Sequence, residues 1–150
     1  MQTFYADCLN NLQELHNDVV KALKGLPAEA LDWSPKVGVN SITALVVHMT
    51  GAERFLFGEI IAGQSLNRNR DAEFLAKNMT LETLMQRLAD NRLYIAGVLE
   101  SLTLVDLEGK RILRSHEVTV GWVIGHALKH TATHLGHIQV MHDLWEQFKT

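Results

Sequence analysis

The stretch Gly125-His126-Ala127-Leu128-Lys129-His130-Thr131-Ala132-Thr133-His134-Leu135-Gly136-His137 spaces three histidines four residues apart and adds a fourth three residues on. At about 100° per residue, His126, His130, His134 and His137 fall within roughly 80° of one another, so the period is helical and all four imidazoles share one side. Val123, Met141, Trp145 and Phe148 lie on that side too, which makes it an apolar, inward-facing stripe. The helix is expected from about Thr119 to Phe148, and imidazoles buried along it need a partner.

Working outward, the same three- and four-residue steps recur along the whole chain, with no sustained alternation that would indicate a sheet. A first helix is expected from about Phe4 to Lys24, with Tyr5, Cys8, Leu12, Leu15, Val19 and Leu23 inward and Gly25 as its stop. A second starts after Asn40 or Ser41 and reaches about Ala62, burying Ile42, Leu45, Met49, Leu56 and Ile60, with His48 at the edge of that face. A third runs from Thr80-Leu81-Glu82-Thr83, a capping start, to about Ser101. The polar connection from Gln64 to about Asn78 is long enough to cross a bundle end to end, and Phe74 and Leu75 indicate that part of it packs. A second connection, Leu104 to Glu117, holds a short extended piece, Lys110 to Arg114. The expected fold is all-α: one domain over residues 1–150, a four-helix bundle with a long crossover connection.

A net charge of -3 with scattered Lys and Arg argues against a nucleic-acid partner. No apolar run has the length of a membrane span, so no membrane association is expected. Met1-Gln2-Thr3 lacks a secretory pattern and the single Cys8 has no disulfide partner, which points to the cytoplasm.

Histidines four residues apart on a helix can direct two nitrogens at one transition-metal ion. His126/His130 and His130/His134 share that spacing, with His130 common to both; His137 is a further ligand or a donor to one. His48 is the best third ligand, being the sole histidine of the second helix and near its inward face. Three neutral imidazoles leave a coordination position open for water or substrate. The pair lacks the glutamate of an HExxH protease helix, and no Glu-x-x-His of a di-iron bundle occurs.

Other polar residues read more plainly. His16, His116 and His142 are expected at the surface, Glu53 in a solvated or interhelical ion pair, and Cys8 as a small buried hydrophobe. Asn91 and Arg92 interrupt the third helix's apolar stripe and are candidate anchors for a polar or anionic substrate. Trp33, Trp122 and Trp145 are packing residues, with Trp122 close enough to the histidines to line a substrate pocket.

Ser41-Ile42-Thr43-Ala44-Leu45-Val46-Val47-His48, preceded by Gly25-Leu26-Pro27 and Trp33-Ser34-Pro35 and followed by Trp122-Val123-Ile124-Gly125-His126 through His134-Leu135-Gly136-His137-Ile138, resembles the DinB/YfiT-like superfamily over essentially the whole chain. The resemblance implies a four-helix bundle, frequent homodimers, and a divalent metal ligated by His48, His130 and His134, with His126 and His137 as possible supporting residues around it. It also implies a metal-dependent S-transferase that joins a low-molecular-weight thiol, such as bacillithiol or mycothiol, to an electrophilic small molecule. In place of the family's common His-Arg-Gly-Gln, this chain has His134-Leu135-Gly136-His137. Zinc or nickel is the expected cofactor, with iron as an alternative. The rival readings are a non-catalytic bundle stapled by the metal and a metal-dependent hydrolase.

Overall fold

A computed structural model describes residues 1–149. In chain order it contains α1 (Thr3–Leu23), α2 (Ala28–Asp32), α3 (Ile42–Arg54) continuing as a π-helical segment (Phe55–Ile61), and α4 (Arg70–Phe74). Then follow α5 (Leu81–Glu100), a 3-10 turn (Leu104–Glu108), strands β1 (Lys110–Leu113) and β2 (His116–Thr119), and α6 (Val120–Phe148). The chain is thus all-α apart from one antiparallel hairpin.

Hydroxyl caps set three of the long helices. Ser41 Oγ accepts from the Ala44 N–H, Thr80 Oγ1 from Thr83 and Thr119 Oγ1 from Trp122, each satisfying an amide that the first turn would otherwise leave orphaned. Gly25 follows α1 at φ 87°, a left-handed turn suited to glycine.

The second helix differs from expectation in its last two turns. It does not stay α to Ala62; the ladder widens, and the Ala62 N–H donates to the Phe57 carbonyl five residues back. Lys110 to Arg114 is not an isolated extended piece: β1 pairs with β2, and Arg114 and Ser115 turn the chain at φ 48° and 70°. Positive φ at both turn positions is the twist that a two-residue hairpin favours. Phe148, expected inward, is 59% exposed where α6 ends.

α6 and α5 each pack against both α1 and α3, so α1 and α3 face each other diagonally across the bundle. α2 and α4 cover α3 from outside, and every residue from Ile42 to Thr50 is buried as a result. The apolar core is divided in two. One part gathers Val19, Leu23, Leu45, Met49, Leu88 and Leu135, the other Leu12, Leu56, Ile95 and Ala127 among their neighbours.

Between them lies a polar layer with one residue from each long helix. Glu53, fully buried, accepts from His16 Nε2 at 3.0 and 3.1 Å, from Thr131 Oγ1 at 2.6 Å and from the Asn91 amide. His16, expected at the surface, is therefore a core residue at 2% exposure. It lies four residues after Leu12 and three before Val19, squarely on the buried stripe of α1. Glu53 is bonded between helices rather than solvated, since no part of the side chain reaches water.

Candidate metal centre

His48 projects from the buried length of α3 toward α6, where His130 and His134 occupy successive turns of one face. One ligand nitrogen from each of the three lies within 4.8 Å of the others, a grouping able to hold a metal ion. His130 Nε2 and His134 Nε2 are 3.2 Å apart. In a half-buried setting, two imidazole nitrogens converge this closely either by sharing a proton or by facing a common cation.

The third imidazole is oriented from outside the bundle. His48 Nδ1 donates to Glu73 Oε2 at 3.0 Å, which leaves its Nε2 lone pair for the histidine cluster. Glu73 is held by the Arg68 guanidinium, Nε to Oε1 and Nη2 to Oε2, both at 2.7 Å, a two-pronged pairing that fixes the plane of the carboxylate. Phe74 stacks on the His48 ring at 4.3 Å, and the Arg70 guanidinium lies 4.9 Å from the Phe74 ring centre on its own account. Glu73 and Phe74 both belong to α4, so the crossover connection, expected only to pack in part, orients one of the three imidazoles. The signal was present in Asn69, whose side chain caps α4 by accepting from the Ala72 N–H.

Burial and neighbouring imidazoles push the His130 side chain down to about 4, and burial with His48 and His137 does the same for His134, also to about 4. His48 is lowered by burial, against the opposing pull of Glu73. Neutral imidazole is the form that ligates a cation, so the donor set, its protonation and the fixed tautomer of His48 fit a divalent transition metal.

The remaining candidates are distributed as follows. His137 is exposed, with its Nδ1 3.4 Å from His134 Nδ1. His126 stacks on Trp122 with ring centres 4.7 Å apart and planes 9° from parallel; its Nδ1 is buried without a partner. Burial, then Lys129 and Arg114, lowers its pKa. Both His126 and Trp122 line a cavity of about 490 Å³ that reaches His48 and His130. His116, expected to be unrelated, lies on the rim of the same cavity because the hairpin folds over it. His142 stays apart, beside Asp143 at 3.2 Å.

Asn91 and Arg92 do not line that cavity. The Asn91 amide donates to Glu53 and to the Thr50 carbonyl inside the polar layer, and Arg92 is half-buried on the same helix. Cys8 is buried, and that burial raises its thiol pKa, as fits a packing residue. Among the described residues no helix is long and apolar enough to cross a membrane.

The sequence profile of the DinB superfamily matches residues 11–138. Among solved structures, a conserved protein from Enterococcus faecalis superposes with a TM-score of 0.76 at 13% identity, covering 96% of this chain and 98% of the other. A protein from Streptococcus pneumoniae gives a TM-score of 0.71 at 11% identity, over 97% and 92% of the two chains. At such identities these likenesses speak to fold alone. No curated protein matches the sequence.

Proposed function

The chain belongs to the DinB superfamily, and from that premise we propose that it is a metal-dependent transferase joining a low-molecular-weight thiol to an electrophilic small molecule. His48, His130 and His134 hold the cation, with zinc or nickel as the first choice and iron as the alternative. The observation that carries the reading is the convergence of three imidazole nitrogens within 4.8 Å, two of the three residues, His48 and His130, lining a cavity. A divalent cation held by these residues would supply a Lewis acid able to lower the pKa of a nearby thiol or water.

The protein's own groups have separable tasks. Glu73 and Arg68 hold His48 in the tautomer that presents Nε2. His137 steadies His134 from the solvent side. His126, whose pKa burial lowers, takes up the thiol proton within the cavity as the sulfur forms its bond to carbon and the leaving group departs with its electron pair. Ala52, Phe55, Leu56 and Trp122 give the cavity an apolar wall that limits water at the reacting atoms. Assembly as a homodimer belongs to the same proposal, and sedimentation velocity measures it directly.

The test begins with metal content per chain for the wild-type protein and His134→Ala, both purified without metal-affinity resin. About one ion in the first and little in the second is expected; no uptake by the wild type, even with added zinc or nickel, refutes the centre. The loaded protein is then incubated with electrophiles with and without thiols. Turnover that needs no thiol makes the protein a hydrolase, and a metal that raises only the melting temperature makes it a staple.

A further inference from the structure

The cavity over the histidines carries charge of one sign. Arg68, Arg70 and Arg114 line it together with His116 and His126, and no acidic side chain does. Arg68 is already committed to Glu73 through two hydrogen bonds. Arg70 and Arg114 are different: among the described residues neither donates a hydrogen bond to the protein nor has a carboxylate within 4.0 Å. Arg87, by contrast, donates to Thr50 Oγ1 and Arg111 reaches the Ile61 carbonyl. In a chain of net charge -3, two guanidinium groups without a hydrogen-bond or carboxylate partner thus line one cavity, Arg70 with a face turned to the Phe74 ring.

Arg114 is also in an unfavourable place for arginine. It takes φ 48° at the hairpin turn, a region where Asn or Gly is at ease and other side chains cost about 1 kcal/mol. Ser115 beside it takes the same region, and of the two turn residues Arg114 is the one that lines the cavity. Beyond the guanidinium groups the wall is apolar, with Phe55, Leu56, Leu113 and Val118. A volume of about 490 Å³ is that of a small-molecule site.

We infer that this cavity takes a small organic oxyanion, a carboxylate or a phosphate on an apolar body, with its charged end held by Arg70 and Arg114 and its body against the apolar wall beside the histidines. The inference names the substrate class of the proposed reaction and rests on that reading only for what becomes of the bound molecule. Arginine forks match both oxyanions, and a neutral amide of the same shape forfeits the charge-assisted bonds.

Calorimetric titration of the full zinc-treated chain with phenylacetate, phenyl phosphate and phenylacetamide tests it. At least one anion is expected to bind at millimolar concentration or below, and the amide about tenfold more weakly. Arg114→Asn, a residue suited to the left-handed turn, and Arg70→Gln are each expected to weaken the anion about fivefold to tenfold and to leave zinc content and amide binding unchanged. Equal affinity for amide and anions overturns the inference, as does an anion affinity indifferent to both substitutions, or no binding by any of the three probes. If the wild type takes up no zinc, the transferase reading fails by itself, and the same titrations still decide whether the arginines bind the anion.

Discussion

Gly51 lies one turn beyond His48, and its missing side chain lets Glu73 approach. A Cβ there would sit 2.2 Å from Glu73 Oε1 and 2.7 Å from its Cδ. That carboxylate is tied to Arg68 and His48, so it cannot swing aside without releasing one of them. Gly51→Ala gains up to about 1 kcal/mol of helix propensity, and its harm falls elsewhere. Metal affinity is expected to drop about 10- to 100-fold, read by competition with a chromophoric chelator, and the propensity gain to offset only part of what breaking the buried Glu73 contacts costs in urea. An unchanged affinity would mean that Glu73 does not orient His48.

The imidazoles themselves give a pH dependence. His130 and His134 lie near 4 in the folded, metal-free protein and near 6.5 when unfolded. Between those values the unfolded chain binds more protons, so stability is complete above about 6.5 and declines as the pH falls toward 4. Both side chains are half-buried, which reduces the size of the effect by solvent screening but not its sign. Urea melts with chelator present are expected to show a lower midpoint at pH 5 than at pH 7.5.

The elements were legible where a hydroxyl or a glycine punctuated an apolar period. Ser41, Thr80, Thr119 and Gly25 mark helix ends because each does local work that no distant contact overrides. The histidines of α6 were legible as a set for the same reason, since their spacing is a property of one helix. What escaped was non-local. Glu73 belongs to a five-residue helix whose existence depends on packing against α3, and no period is detectable over so short a span. His16, Glu53 and Asn91 all occupy positions on buried stripes, yet each was read as polar and hence peripheral or functional. Their partners lie on other helices, and only the assembled bundle shows that the polar atoms answer one another. The layer they form makes a prediction at this scale. Glu53→Ala removes the acceptor from three buried donors and leaves a void, and is expected to cost about 3–5 kcal/mol by urea denaturation, more than truncating an isolated surface charge would. A loss under about 1 kcal/mol would mean that the layer adds little.

For the whole molecule, the histidine cluster joins α3 to α6, with α4 clamped over it through Glu73. A cation binding only the folded chain at about a thousand times its dissociation constant adds about 4 kcal/mol, or roughly 10 °C in melting temperature for a chain of this size. Chelation is expected to remove that increment in scanning calorimetry, and His134→Ala to show none of it from the start. The overall architecture followed from four periodic segments and one long connection, which leave few ways to close a core. The position of the hairpin over the cavity did not follow, because two four-residue strands carry too little pattern to place themselves.

Glu53 meets residues 37, 38 and 78 positions away along the chain, one on each of the other long helices. No fragment short of all four can complete that set, so a partly assembled chain carries a polar group in apolar surroundings without its full complement of donors. A helix that docks out of place sets these polar atoms against one of the two apolar clusters and meets the same penalty. The layer is therefore complete only once the α6 segment, the last of the four in the chain, has brought Thr131 to Glu53.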